Sequence, residues 1–503
     1  MLFLIVLSIA AVILYRKLKS KYRLLDELNI NHPKPVPLFG NVGEFKDKCP
    51  LDVFKAWRNV YGKVFGFYEG LRPSIVVCDP VLIQQILVKQ FDKFQSRPLC
   101  TPFQNRYEEL GILNTHGELW KQQRHVVATC FNTTSMNQMI QKMIFKSNNL
   151  VEKLGKESTA SPDGFEIAEL LDRHMLDIFA YSAFDYDSDS LNNTEEIMYK
   201  YMVEFSKVAN TENPVPGIAR LFPALTPLCQ YLAGGKFRDA HETQLKQLTQ
   251  LVEKERTELL NDESNEKPNI IRKLLRTTAS CKDENNNTCK RYLSNEEVLA
   301  QLTSMVTGGL DAAAAVTSFL VYCLAMYPDI QHKVQDEMKE VFQNDDEITL
   351  DKLSSLPYLD MVLNETQRFY PVTPGVARYC TEDVTIDGIQ FKQGMPIKIM
   401  TCVMNQDKEI FPEPDKFIPE RFSKQESEKR HPMSWLPFGA GPKMCVGVKL
   451  GLLKCKLTVV QILRNYHIET SSETEIPIKT KLHPILAPKN GVHIKLVPRI
   501  SKY

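Results

Sequence analysis

The sequence lacks several features that would each have indicated a class of protein. Lys and Arg number 62 against 61 Asp and Glu, so there is no excess of positive charge and we expect no nucleic-acid partner. The 12 cysteines include no Cys-x-x-Cys pair and no zinc-like spacing, which excludes a small zinc module. Glycine is scarce at 22 residues and proline reaches 29, a balance that favours long helices over a turn-rich β-protein. A mean hydropathy of -0.25 excludes a polytopic membrane protein.

The one long hydrophobic run is at the amino terminus. Residues 1–15 are apolar except for Ser8, and five Lys or Arg residues follow between positions 16 and 23. As a helix the run would be about 22 Å long, and snorkelling basic residues can cover the shortfall against the ~30 Å hydrocarbon core. The basic flank should stay in the cytosol. We therefore predict an anchor in the endoplasmic reticulum membrane at 1–15, a basic and proline-rich linker at 16–37, and one cytosolic catalytic domain at 38–503.

A very long helix is predicted in the middle of the chain. Ser294 and Glu297 form a capping box, and the helical pattern continues to Tyr327, where Pro328 stops it. Its centre carries Gly308-Gly309, so either the helix bends there or a bulky group lies against bare backbone. Helical patterns dominate before residue 370, and a hairpin with an Asp-Gly turn is predicted at 384–391. The fold class is therefore mainly α, of the α+β type.

One cysteine stands out near the carboxyl end. Cys445 follows Phe438, Gly441 and Lys443 in a loop with two glycines and a proline, and a helical pattern begins directly after it. The positive end of a helix dipole should lower the pKa of the thiol, which suits a metal ligand, and Lys443 could bind an anionic group. Taken alone, a cysteine in such a loop is structural more often than not. The remaining cysteines are expected to be free thiols, including the closely spaced Cys281 and Cys289.

Several motifs coincide, and together they carry a resemblance. The Cys445 loop reads Phe-x-x-Gly-x-basic-x-Cys-x-Gly, and Glu-x-x-Arg, Pro-Glu-Arg-Phe and Trp-x-x-x-Arg motifs start at Glu365, Pro419 and Trp120. With these motifs the chain resembles the cytochrome P-450 superfamily from about residue 35 to 498. Within it, segments 61–68 and 359–365 are similar to the microsomal group that contains the vertebrate drug-metabolising 3A enzymes and thromboxane synthase.

This resemblance implies a fold, a cofactor and roles for individual residues. The fold would be the cytochrome P-450 fold, with small β-sheets and a long helix crossing over haem b (iron protoporphyrin IX). Cys445 would be the iron ligand, and Glu365, Arg368 and Arg421 would form a structural network behind it. The other implied cofactor contacts are Trp120, Arg124, Arg378, Lys443, Phe438 and Gly441.

The resemblance also implies partners. Electrons would come from a separate NADPH-cytochrome reductase in the membrane, with cytochrome b5 as a further partner, and substrates would be small and lipophilic, such as xenobiotics, steroids or fatty-acid-like lipids. The basic docking face is predicted to include Lys121, Lys443, Lys449, Lys454 and Lys456.

The chain departs from the family pattern in the long helix. Asp311 stands at the position of the family's acid, but Ala312 and Ala313 replace the hydroxyl residues that hold a proton-relaying water. Three functions fit: a monooxygenase that takes protons through Asp311, Thr307 or a substrate hydroxyl; an isomerase of lipid peroxides that needs no reductase; and a haem-binding sensor. The monooxygenase is favoured, and the similarity to thromboxane synthase keeps the isomerase as the alternative.

Overall fold

The computed structural model describes most of the 503-residue chain. The described residues are 16, 20–46, 48–97, 106–209, 214–233, 235–261, 269–282, 288–343, 347–483 and 485–499. The predicted anchor at 1–15 lies outside these ranges. Within them, one helical stretch, Asn295–Met326, is long and apolar enough to cross a membrane, but 78% of its apolar window is buried inside the protein. That burial is typical of a core helix.

Helices form the larger part of the described chain. In order they are α1 (Leu24–Glu27), α2 (Pro50–Tyr61), α3 (Pro80–Gln84), α4 (Arg106–Leu110), α5 (Gly117–Thr129), α6 (Thr133–Ala160), α7 (Ala168–Phe184), α8 (Ile197–Ala209), α9 (Pro214–Leu221), α10 (Thr226–Ala233), α11 (Gly235–Asn261), α12 (Ile270–Arg276), α13 (Asn295–Gly309), α14 (Asp311–Met326), α15 (Pro328–Phe342), α16 (Leu350–Ser354), α17 (Pro357–Phe369), α18 (Thr401–Met404), α19 (Lys424–Glu428) and α20 (Val448–Asn465). The predicted predominance of helix is confirmed.

The strands are short and form small sheets. They are β1 (Val64–Glu69), β2 (Arg72–Val77), β3 (Phe165–Glu166), β4 (Ala279–Lys282), β5 (Thr288–Arg291), β6 (Val376–Tyr379), β7 (Val384–Ile386), β8 (Ile389–Phe391), β9 (Pro396–Ile399), β10 (Tyr466–Thr470), β11 (Thr480–His483), β12 (Ile485–Pro488) and β13 (His493–Pro498). One sheet has the order β1-β2-β9-β6, with β2 and β9 parallel, and another has the order β10-β13-β3. The pairs β4–β5, β7–β8 and β11–β12 are separate hairpins.

Buried apolar side chains form two clusters, one among the helices and one around the β1-β2-β9-β6 sheet. The sheet cluster includes Leu25, whose side chain lies so close to Gly66 that a Cβ there would stand 2.6 Å from it. Residues of the predicted linker from Leu25 onward thus pack on the sheet. They hold this part of the predicted linker at a fixed place on the body.

The long helix is present and it is broken at its glycines. Ser294 and Glu297 form the predicted capping box, with Ser294 Oγ accepting from the Glu297 N–H at 3.2 Å. α13 ends at Gly309, Leu310 has φ −98° and ψ −66°, and α14 starts at Asp311. The side chains of α14 from Ala313 to Ala325 are buried, so the helix crosses the helical core. This break determines the shape of one wall of the site.

Two local predictions have different outcomes. The hairpin at 384–391 is confirmed as β7–β8, and its turn residues Asp387 and Gly388 have φ of 50° and 81°. The prediction of a free thiol at Cys289 is wrong, because Cys289 is disulfide-bonded. In the β4–β5 register Cys289 lies directly opposite Cys281. Seven residues lie between the two along the chain, and the pairing of the two strands places them opposite each other.

Candidate functional site

A cavity of about 1030 Å³ lies between the loop that carries Cys445 and the broken long helix. The loop is held by its own backbone, since the Cys445 N–H donates to the Phe438 carbonyl at 2.9 Å. Gly441 has φ 71°, and a Cβ there would stand 2.0 Å from the Leu87 carbonyl oxygen. The glycines therefore let the loop press against its neighbours while Cys445, an exposed residue, faces the cavity.

The environment of Cys445 differs from the sequence prediction in one respect. Burial raises the pKa of the Cys445 thiol, and the Gly447 N–H, Arg124 and Arg97 lower it by less. The expected fall in pKa is therefore not present in the protein alone, because desolvation outweighs the groups that favour the thiolate. A metal ion at the sulfur would reverse this, since coordination deprotonates a thiol outright.

Cationic side chains gather on the cysteine side of the cavity. Arg124 from α5, Arg378 from β6, and Arg97 and Lys443 from loops all line it. Arg378 is 1% exposed, and its Nε has no hydrogen-bond partner. Burial, with Arg97 nearby, lowers the pKa of Arg378 to about 9, and burial also lowers the pKa of Arg124. A buried guanidinium with an unmet donor, set beside other cations, fits an anionic ligand such as a pair of carboxylates.

Trp120 and Lys443 form a contact of their own. The Lys443 ammonium donates to the Thr115 carbonyl at 2.6 Å and lies 5.1 Å from the centre of the Trp120 ring. Burial first, and then Arg97 and Arg378, lower the pKa of Lys443 to about 7. Trp120, Arg124, Arg378 and Lys443 were all predicted from motifs, and the structure brings them together around one cavity.

Arg97 is a cavity cation near Cys445 that sequence reasoning missed. Its Nη2 donates to the Lys443 carbonyl at 2.6 Å, so it also braces the cysteine loop. An isolated arginine before a proline carries no periodic or motif signal. Arg97 reaches the site through a contact between distant segments. The Tyr379 N–H of β6 donates to the Ser96 carbonyl at 2.9 Å, and this places the neighbouring Arg97 beside the cavity.

The opposite wall is bare backbone. Gly308, Gly309, Ala312 and Ala313 line the cavity, and a Cβ at Gly309 would meet nothing within 4 Å. The glycines and alanines of the helix therefore leave space above Cys445. Of the two explanations for the paired glycines, the break in the helix is present, and the space against them leaves room for the bulky group of the other.

Asp311 and Thr307, the predicted catalytic residues, are beside this wall and are not among the residues that line the cavity. Burial raises the pKa of Asp311 to about 7, so this carboxyl titrates close to neutral pH. The Thr307 hydroxyl is 3.2 Å from the Tyr201 hydroxyl of α8, with either atom as the donor. Of the two, Asp311 lies nearer in sequence to the break that opens the cavity.

A buried ionic network supports the cysteine side. Glu365 and Arg368, both 0% exposed, form two hydrogen bonds of 2.7 and 2.8 Å along α17. Arg368 also donates to the carbonyls of Asn405 and Pro414, both at 2.9 Å. Arg421 stands 3.5 Å from Glu365 through its Nε, and its two terminal nitrogens donate to nearby carbonyls. The predicted trio therefore ties the chain from 405 to 421 to α17.

The arrangement defines a class of protein. A cysteine faces a large and mainly apolar cavity, cationic side chains that include the buried Arg378 with its unmet Nε donor lie around it, and the opposite side is a stretch of helix with small residues. Those residues fit haem b, with the sulfur as an iron ligand and the cations as partners of the two propionates. When bound, a thiolate-ligated haem supplies the activation of dioxygen. The protein is thus a haem-thiolate oxidoreductase.

The comparison with known families agrees with this class of protein. Residues 30–496 match the family described as Cytochrome P450, and the chain belongs to this family. It is 30% identical over 498 residues to cytochrome P450 3A29 of Sus scrofa, covering 98% of this chain and 96% of that protein. It is 31% identical over 483 residues to cytochrome P450 3A18 of Rattus norvegicus, covering 95% and 94%. The predicted fold, haem cofactor and monooxygenase class are confirmed.

Proposed function

We propose that this protein is a membrane-anchored monooxygenase that oxidises small lipophilic substrates with O2 and with electrons from NADPH through a separate reductase. One observation carries the proposal: a single apolar cavity holds both the Cys445 sulfur and the bare wall at Gly308 and Gly309. A substrate above the iron would lie against that wall, at the position where oxygen is activated. In this proposal 38–503 is the catalytic domain and Cys445 is its iron ligand.

The cavity walls support an apolar substrate. Ile112, Val127, Met305, Val316 and Val372 contribute aliphatic surface. Such walls reward the burial of hydrocarbon and offer few polar groups to fix an orientation, which suits lipophilic molecules of varied shape. Xenobiotics, steroids and fatty-acid-like lipids all meet this description.

Surface side chains support attachment to a bilayer in addition to the proposed anchor at 1–15. Val36 in the linker and Phe39 just after it are 57% and 51% exposed, and Leu228 and Leu232 of α10 are 54% and 67% exposed. Leu221, at the end of α9 shortly before α10, and Leu38 both lie near Gly70, where a Cβ would stand 3.1 Å from the Leu221 side chain and 3.4 Å from the Leu38 carbonyl. Exposed apolar side chains gathered on one side of a body favour contact with a membrane. We propose the endoplasmic reticulum as that membrane.

The proposed docking face for the reductase must be smaller than the sequence prediction. Lys443, Lys454 and Lys456 are 3%, 1% and 6% exposed, so they are not available to a partner. Lys121 and Lys449 are exposed, and they remain in the proposal. An acidic reductase surface, or that of cytochrome b5, would meet these two lysines next to the cysteine loop.

Ala312 supports a second candidate function. It lines the cavity and carries no hydroxyl, so it cannot hold a proton-relaying water. An isomerase of lipid peroxides needs neither protons nor electrons from outside, and it would tolerate this alanine. In the monooxygenase proposal the protons come from Asp311 through water.

One experiment separates the two functions. The purified protein is given NADPH, reductase and a panel of lipophilic substrates in one assay, and a lipid endoperoxide without reductase in the other. Oxygenated product in the first assay is expected. Turnover in the endoperoxide assay alone would replace the monooxygenase with the isomerase, and turnover in neither would favour a haem-binding sensor.

A further inference from the structure

Lys454 is a buried cation for which the mechanism above has no use. It lies on α20, nine residues after Cys445, and is 1% exposed. Its ammonium donates to the Gly309 carbonyl at 2.8 Å, and the side chain lines the cavity. One helix therefore extends from the cysteine loop and reaches the break in the opposite wall.

The Gly309 carbonyl is a group that requires a partner. Gly309 is the last residue of α13, and the last four carbonyls of a helix have no intrahelical donor. The carboxyl end of a helix also carries partial negative charge, which a nearby cation stabilises. The amino end carries partial positive charge, which a nearby carboxylate stabilises. Lys454 meets the end of α13, and Asp311 is the first residue of α14. The break thus has a cation on one side and an acid on the other.

Lys454 has no carboxylate to offset its charge within the described chain. The ring of Phe179 on α7 lies 5.1 Å from its ammonium. The charge of Lys454 acts to lower the pKa of Cys455 and that of His174, and neither group is an anion that could pair with it. Lys456, two residues further along α20, differs: it is also buried, but its ammonium pairs with Asp360 at 2.9 Å. A buried cation without an anion is unfavourable unless another polar group compensates it. For Lys454 that group is the Gly309 carbonyl, which accepts its hydrogen bond.

The missing hydroxyl at Ala312 makes this bond relevant to the reaction. A Thr or Ser in a helix can bond back to the carbonyl one turn earlier and bend the helix there. Alanine at 312 cannot do so. Lys454 reaches the same stretch of backbone from across the cavity, and it binds the neighbouring carbonyl.

We propose that Lys454 is a positioning residue for the oxygen side of the site. Its ammonium donates a hydrogen bond to the Gly309 carbonyl and so keeps the backbone at the Leu310 break in one position. That position determines the distance between the helix wall and the cysteine loop. This inference rests on the proposed monooxygenase function, because the space matters only where oxygen and substrate must be held together. The residue is not expected to touch the substrate.

The test compares variants of the full-length, haem-loaded protein. Lys454→Met removes the ammonium and keeps the length of the side chain, Lys454→Arg keeps a cation, and Lys456→Met is the matched control for a buried lysine on the same helix. Hydrogen exchange in peptides that cover residues 305–316 is expected to rise about tenfold in Lys454→Met alone, because local opening becomes easier. Lys454→Arg should restore exchange to within about twofold of the original protein.

The second measurement is the hydrogen peroxide released per NADPH oxidised with reductase present. It should rise about tenfold in Lys454→Met, since a small displacement of a wall can change a rate this much, and should stay unchanged in Lys456→Met. Lys454→Gln serves if the methionine variant fails to take up haem. The reduced-CO spectrum of a thiolate-ligated haem must persist in every variant that is compared.

Each outcome decides the proposal. Exchange that is unchanged in Lys454→Met, or raised equally in Lys456→Met, overturns it. Raised exchange with unchanged peroxide release would make Lys454 a structural residue only, and also overturns it. Failure of the proposed function is distinct, because the original protein would then show no reductase-driven turnover while the exchange comparison could still be made.

Discussion

On the cysteine side of the cavity the chain is densely cross-linked, whereas on the helix side it is almost bare. Arg368 alone makes hydrogen bonds to Glu365 and to the carbonyls of Asn405, Pro414 and Lys416. The helix side presents Gly308, Gly309, Ala312 and Ala313 to the same space. One wall is fixed by buried charge, and the other is shaped by the absence of side chains.

This difference between the two walls corresponds to two different functions. A metal ligand must be held in one place, which a network of buried hydrogen bonds and ion pairs achieves. A wall for substrate and oxygen must leave room, which requires small residues and a break in the helix. Changes on the cysteine side should therefore abolish haem binding or stability, and changes on the helix side should alter how the reaction proceeds.

The largest effect is expected at the sulfur. Cys445→Ser should abolish the reduced-CO spectrum of a thiolate-ligated haem, because a serine hydroxyl does not replace the thiolate. Cys455 lines the same cavity but is buried, and its Sγ lies 3.6 Å from the Ala313 carbonyl. Cys455→Ala should therefore retain the spectrum. The reverse pattern would assign the iron to Cys455.

The next effect tests the network behind the loop. Glu365→Gln leaves Arg368 as a buried cation without an anion, which typically costs about 3–5 kcal/mol of unfolding free energy. Glu420→Gln is the control: its pair with Lys333 is exposed and should contribute at most about 1 kcal/mol. Thermal unfolding and retention of haem measure both. Equal losses in the two variants would contradict a special role for the buried pair.

These two sites also show what the sequence can reveal. The spacing of Glu365 and Arg368 places them on one helix face, and the glycines around Cys445 indicate a tight loop, so local rules were enough. Arg97 and Lys454 gave no local signal, because their positions depend on how distant segments pack. The motif singled out Lys443, which lines the cavity, but its bond to Thr115, 328 residues earlier in the chain, was not predictable. Lys454 and Lys456 were wrongly placed on the docking face for the same reason, since the helical pattern did not reveal that this part of α20 is buried.

On the helix side the expected effects are smaller and concern coupling. Ala312→Thr introduces a hydroxyl into the cavity wall and should lower the hydrogen peroxide released per NADPH by about tenfold, by supplying a relay for protons. Ala312→Val is the matched control, because valine has nearly the same shape as threonine but no hydroxyl. If both variants behave alike, the size of the side chain and not the missing hydroxyl limits coupling.

The smallest effect is a pH dependence at the break itself. Burial raises the pKa of Asp311 to about 7, whereas an ordinary aspartate in the unfolded chain titrates near 3.8. Between these two values the folded protein binds more protons than the unfolded chain, so the contribution of Asp311 to the unfolding free energy falls as the pH rises. Asp311→Asn removes this dependence.

The asparagine variant should therefore gain stability relative to the original protein as the pH rises from about 4 to 7, by on the order of 1–3 kcal/mol given the partial exposure of the side chain. Asp329→Asn is the reference, because Asp329 also lies in the first turn of a helix but is exposed. Thermal unfolding of both variants across this range measures the difference. A gain that does not grow with pH would mean that Asp311 is already ionised in the folded protein, and the helix side would then carry a fixed negative charge where this structure places a carboxyl that can hold a proton.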